Sequence, residues 1–194
     1  MKISGIVATI NNNIIALNVG GSNYVPHVNG YSFFPDKEKE ILIKFRQRDK
    51  KLFTSYIKNI PDGSIVVIGD NTFFDAFGLF KKILKDKTIT FIISNSNEIK
   101  TVSYLKNDWN SRIVNNVIYI KNLNKENSKK RLLNIAKKQA SDSKSNVYVM
   151  GGKSVYEAFS GNYNEFIVNN IAIEEDVLTE MENNKNISFN KVRL

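Results

Sequence analysis

The residues best suited to chemistry in this chain stand at two corners, Val66-Val67-Ile68-Gly69-Asp70-Asn71-Thr72-Phe73 and Val147-Tyr148-Val149-Met150-Gly151-Gly152-Lys153-Ser154-Val155-Tyr156. In each, an apolar β-type run is broken by glycine and followed by polar residues suited to opening a helix. A strand that hands over to a helix in this way leaves the first helical N–H groups without intrahelical partners, so they can meet a ligand anion. Glycine at the corner lets a phosphate or ribose approach the backbone with no Cβ in the way. Two such corners, separated by a third buried run (Ile89 to Ser94), predict a nucleotide laid across one edge of a sheet.

Composition removes several other chemistries. The chain has no cysteine, so disulfides and thiolate catalysis are excluded, and its one histidine, His27, cannot build a zinc site alone. No metal site is expected. Hydrophobic residues make up 42% of the 194 residues, enough for one core, and no boundary-like linker divides 1–194, so a single domain is expected. No apolar run reaches the roughly 18 residues of a membrane span. Met1 leads directly into a strand-like run and not into a signal peptide, which predicts a cytoplasmic protein, of a cell or of an infected host cell. The net charge of +9 comes from lysines in short helical groups, with no arginine-rich arm and no RNA-binding aromatic signature. Solvated helix faces and attraction of an anionic small molecule are expected, with no nucleic acid and no membrane as partner.

The elements that must position the corners follow from periodicity. Ile3 to Ile10 reads as a buried strand ending in the turn Asn11-Asn12-Asn13, and Asn18 to Gly30 as an irregular loop. Asp36 to Ile60 is charged and helix-favouring, and Pro61-Asp62-Gly63 is a turn. Ser64 to Ile68, Ile89 to Ser94, Val117 to Ile120, Val147 to Met150 and Phe166 to Ile173 read as strands, with a last strand-like piece from Ile187 to Leu194. Helices are expected over Thr72 to Leu84, around Glu126 to Ala140, and from Ser154. Strands alternating with helices predict an α/β fold with a mainly parallel sheet covered on both faces.

The order and content of these motifs resemble the dihydrofolate reductase family over nearly the whole chain, in the manner of a divergent, viral or bacteriophage member. Ile3 to Ala16 is similar to that family's first strand and its continuation. Gly69-Asp70-Asn71-Thr72-Phe73 looks like its G-[RK]-x-T-[WF] motif, and Ile92-Ile93-Ser94 resembles the strand ending beside the cofactor's adenosine. Gly151-Gly152-Lys153-Ser154-Val155-Tyr156 is close to G-G-x-x-[VI]-Y, and Phe166 to Ile171 followed by Asp176 is similar to the strand after it. The resemblance implies a dihydrofolate reductase-like sheet flanked by helices, with the C-terminal strand region shortened, since only about 18 residues follow Asp176. It also implies hydride transfer from NADPH to dihydrofolate, giving tetrahydrofolate, with NADH as the alternative donor.

The family uses one carboxyl group on its first long helix, and desolvation there keeps a proton within reach near neutral pH. The matching residue is Asp49, with Phe53 one helical turn later; Asp36, Glu38 and Glu40 compete for the role. Ile6, Phe53, Tyr156 and Asn169 would meet the substrate. Ala8 and Ile15 would line the nicotinamide pocket. Gly69, Asn71, Thr72 and Ser94 would serve the cofactor on one side, and Gly151, Gly152, Lys153, Ser154, Val155 and Tyr156 on the other.

Several positions depart from the pattern. Asp70 stands where the family has Arg or Lys, which opposes a 2′-phosphate. The arginine that grips the folate glutamate has no arginine counterpart before Ile89, with Lys85 or Lys87 as substitutes; the strand threonine that supports the acid is Asn169. Pro26-His27 is the nearest match to the family's Pro-Trp. Three readings follow: a dihydrofolate reductase, a reductase of another pterin or a pyrimidine-type ring, or a non-catalytic nucleotide-binding or assembly relative. A small-molecule partner and a monomer or homodimer, with one sheet edge open, complete the expectation.

Overall fold

The run from Ile3 to Ile10 is buried at every position, as a central strand of a parallel sheet must be. In the computed structural model it forms β1 (Ile3–Ile10). The structure describes residues 1–12, 16–19, 36–95, 117–121, 126–183 and 187–190. After β1 come β2 (Ala16–Val19), α1 (Asp36–Asn59), β3 (Ile65–Gly69), α2 (Asp70–Ile83), β4 (Thr90–Asn95) and β5 (Val117–Lys121). The chain continues through α3 (Glu126–Asp142), β6 (Val147–Met150), α4 (Lys153–Ala158), β7 (Glu165–Ile171), α5 (Glu175–Asn183) and β8 (Ile187–Asn190).

Six strands form one sheet in the order β5-β4-β3-β6-β1-β7, and every pairing in it is parallel. From β1 the chain steps to β3, β4 and β5, toward one edge. It then returns to β6 and β7, toward the other. Right-handed crossovers put the helices of these two sweeps on opposite faces, and the side chains agree. Ile57 of α1 and Ile60 just beyond it, with Phe73, Phe77 and Phe80 of α2, pack on Ile6, Val66, Ile68, Phe91, Ile93 and Met150. Leu132, Ala136 and Ala140 of α3, with Val155 and Phe159, pack on Val7, Val67, Ile92, Val147 and Val149.

Local chemistry explains the element ends. The buried stripe Phe73, Phe77, Phe80 and Leu84 recurs at helical spacing, so α2 lies flat on β3 and β4, with Phe73 edge-on to Phe91 at 5.3 Å. In α3 the stripe includes two alanines, which let the helix approach the sheet closely. The ammonium of Lys87 donates to the carbonyl oxygens of Lys58 and Ile60, at 2.7 and 2.6 Å, and so closes the C-terminal end of α1. At the expected turn, Gly63 has φ +78 and its N–H donates to Thr88, while the Asp62 carboxylate accepts the Thr88 N–H.

The structure departs from the sequence reading in several places. Helix α2 begins at Asp70, directly after Gly69, and not at Thr72. A helix, α5, occupies Glu175–Asn183, where no element was expected; Val177 and Met181 bury one face of it. β2 takes in Asn18 and Val19, which the loop reading had included. β7 ends at Ile171, and the Asn11 side chain replaces the next rung: its Nδ2 donates to the Ile173 carbonyl and its Oδ1 accepts the Ile173 N–H, both at 2.8 Å. Asn11 and Asn12 hold φ of 47 and 64, a left-handed turn that asparagine tolerates. β8 pairs antiparallel with β2, away from the large sheet, so β7 stands at that sheet's edge among the described residues. No helix of the described residues is long and apolar enough to cross a membrane.

Candidate functional site

In an open α/β sheet, ligands bind beyond the carboxyl ends of the strands where the winding reverses. Here that point lies at β6, whose neighbours β3 and β1 send their helices to one face while β6 sends α4 to the other. The two glycine corners predicted from sequence are therefore neighbours in space, at the ends of adjacent strands.

They touch. Gly151 has φ +66, and a Cβ built on it would lie 2.7 Å from both Cβ and Cγ2 of Thr72. A Cβ on Gly69 would lie 3.3 Å from the Gly151 carbonyl oxygen. The space between Thr72 and Gly151 is thus filled by Thr72, and no molecule passes between them. Gly152 differs: it is exposed, has φ +86, and a Cβ there would meet only Val155, at 3.7 Å. The corner is open to approach at Gly152 and Lys153 and closed at Gly151.

Tyr156 fastens this corner to β1. Its buried hydroxyl donates to the Ile6 carbonyl oxygen at 2.6 Å and accepts the Gly151 N–H at 2.8 Å. That Gly151 N–H, expected to serve a phosphate, is taken by the tyrosine. Val155, Ile6 and Ala8 are buried as well, Val155 under α3 and Ala8 against Ile10 and Ile171. Ser94 is buried at the end of β4, paired in register with Gly69.

On the other side of the corner, three charged groups converge. Glu157 lies 3.4 Å from the Lys129 ammonium of α3 and 3.8 Å from that of Lys153. Sequence reading missed Lys129 and Glu157, because nothing in the spacing of residues 129 and 157 signals that two helices meet there. On α2, Asp70 occupies the first turn, and the preceding Gly69 supplies no side-chain cap.

The face under α1 carries three of the four positions expected to meet a substrate, Ile6, Phe53 and Asn169; the fourth, Tyr156, lies in the core on the opposite face, under α3. Phe53 is half-buried, its ring 6.0 Å from that of Phe80. Asn169 pairs in register with Ala8, and its Nδ2 is buried with no hydrogen-bond partner among the described residues. Asp49 and Asn71 are placed on α1 and α2 by the backbone alone; their side chains, and Ile15, Pro26 and His27, lie outside the described residues. The helix that carries Asp49, α1, packs on β7, the strand that carries Asn169. Of the rival acids, Glu40 is exposed, and the side chains of Asp36 and Glu38 lie outside the described residues.

The shifted titrations lie elsewhere. Glu165 is held below the usual carboxylate range by hydrogen bonds from Lys2 and Ser4, and Lys2 is held above its usual value by Glu165. Burial pushes the Tyr163 and Tyr56 phenols up. Lys2, Ser4 and Glu165 stand at the amino ends of β1 and β7, opposite the glycine corners, so the perturbation of Lys2 and Glu165 reflects structure. No group of three His, Cys, Asp or Glu side chains that could hold a metal occurs among the described residues. Comparison of the chain with protein-family models, curated proteins and solved structures returns no match.

Proposed function

We propose that this protein is a dihydrofolate reductase-like oxidoreductase that moves a hydride from NADPH to dihydrofolate. The observation that carries the reading is the meeting of both glycine corners at the sheet's switch point, with the Asn169 amide, buried and without a hydrogen-bond partner among the described residues, two strands away. The contact between Thr72 and Gly151 changes the expected path of the dinucleotide. It would cross above them, over Gly152 and Lys153, where the backbone is open.

NADPH would supply the hydride. The chain's own residues divide the remaining work. Thr72 and the Tyr156 hydroxyl hold the corner rigid, Lys153 offers positive charge, and the small Ala8 leaves room beside Asn169. Asp49, one helical turn before the half-buried Phe53 on α1, would hold the proton that the ring takes up, since loss of water would favour the protonated carboxyl.

One observation favours a second reading, a reductase acting on a pterin without a glutamate tail. Lys87, a candidate to grip that tail, spends its ammonium on two carbonyls at the end of α1. Purified protein mixed with NADPH or NADH and either dihydrofolate or a tail-less dihydropterin tests both readings through loss of nicotinamide absorbance. Turnover of dihydrofolate supports the first and turnover of the tail-less ring alone supports the second. No turnover of either leaves a non-catalytic nucleotide binder.

A further inference from the structure

The first turn of α2 carries Asp70 where a dinucleotide-binding corner is better served by a cation, so positive charge for the phosphates must come from elsewhere. Lys153 directly follows the open glycine at the carboxyl end of β6. Lys129 lies in the first turns of α3, which starts five residues beyond the carboxyl end of β5. Both ammoniums therefore stand on the crevice side of the sheet, and both lean on one carboxylate, Glu157, at 3.4 and 3.8 Å.

We propose that Lys129 and Lys153 form the phosphate site of this crevice, with Glu157 as its built-in anionic competitor. The inference rests on the dinucleotide-binding part of the reading above and not on hydride transfer. Two ammoniums and one carboxylate leave a net charge of +1. The contacts are long, and the three side chains are between 25% and 48% exposed, so they contribute little to folding and exchange readily. A pyrophosphate brings more negative charge than one carboxylate and three acceptor atoms per phosphate. It displaces Glu157 from the lysines without leaving any group buried and unpaired. Lys129 also ties the site to α3, so ligand binding is felt at the α3–α4 contact.

The test measures affinity for inorganic pyrophosphate and for NADPH by calorimetry in the full-length chain, at two salt concentrations. Glu157→Gln should tighten both about threefold or more and steepen the salt dependence. Lys129→Met and Lys153→Met should each weaken both by a similar factor. Lys138→Met, which removes the same charge far along α3, should change neither. Unchanged or weaker binding in Glu157→Gln, equal losses in all three lysine variants, or no binding of either probe by the unaltered protein would overturn the proposal. Pyrophosphate binding that follows this pattern without any turnover would retain the phosphate site and remove the reductase. Turnover with no response to these substitutions would do the reverse.

Discussion

Thr72 lies against Gly151 so closely that the glycine's Cα has no room for a methyl group. The hydroxyl-bearing side chain from the start of α2 covers the backbone at the end of β6, and the residue it covers is held at φ +66. A left-handed conformation and a steric conflict thus coincide at one position. Gly151→Ala should lower stability by about 2–4 kcal/mol, read as a drop in the denaturant midpoint at constant m. Shortening Thr72 to Ser should not rescue it, because the Thr72 Cβ is part of the conflict. A variant as stable as the parent would mean that the two corners are not in contact.

The Tyr156 hydroxyl closes the same corner from below. Tyr156→Phe leaves the Gly151 N–H without its acceptor while preserving the ring's packing. The expected loss is about 1–3 kcal/mol, and hydrogen exchange at the Gly151 amide should accelerate more than at Val149. Equal protection of the two amides would remove the tyrosine from this role.

Asn169 should behave in the opposite sense. Its Nδ2 is buried without a partner among the described residues, which costs folding energy that a ligand acceptor can return. Asn169→Val should raise the stability of the ligand-free protein by about 1 kcal/mol. The same variant should lose much of the thermal shift produced by substrate. Destabilisation of the ligand-free protein by this substitution would show that the amide is already satisfied.

Asp49 is the proposed proton holder, so Asp49→Asn should cut turnover about a hundredfold or more while the thermal midpoint holds. Phe53→Leu should act mainly on substrate affinity. Full activity of the asparagine variant would shift the role to one of the other acids on α1.

The Lys2–Glu165 pair makes a pH prediction. Glu165, lowered, adds stability that is complete above its unfolded value of about 4.3 and is lost as pH falls through the folded one. Lys2, raised, adds stability that is complete below about 10.4 and is lost as pH rises through its folded value. The contribution is therefore flat between about pH 5 and pH 10. The difference in Tm between the parent and Glu165→Gln should narrow as pH falls from about 5 to about 3. A constant difference over that interval would mean that the pair does not form.

Much of the architecture is written locally. Ile65 to Ile68 is apolar throughout and Ile3 to Ile10 is so apart from Ser4 and Thr9, which marks both as strands buried on both faces, and the phenylalanines of α2 repeat at helical spacing around one stripe. Helix α5 escaped notice because its buried face rests on two residues, Val177 and Met181, in a segment otherwise rich in acids. The pairing of β8 with β2 escaped for another reason: strand partners in an isolated ribbon are set by long-range register, which four-residue segments do not specify.

For the site, sequence alone determined where glycine breaks a strand and which polar residues follow, because those choices answer to backbone geometry within a few residues. Tertiary structure alone decided that Thr72 fills the gap beside Gly151, that Tyr156 spends its hydroxyl on Ile6, and that Lys129 and Lys153 share Glu157. Those outcomes depend on which strands become neighbours and which helix ends converge. That is settled by burying two apolar faces at once, over separations of up to 162 residues along the chain.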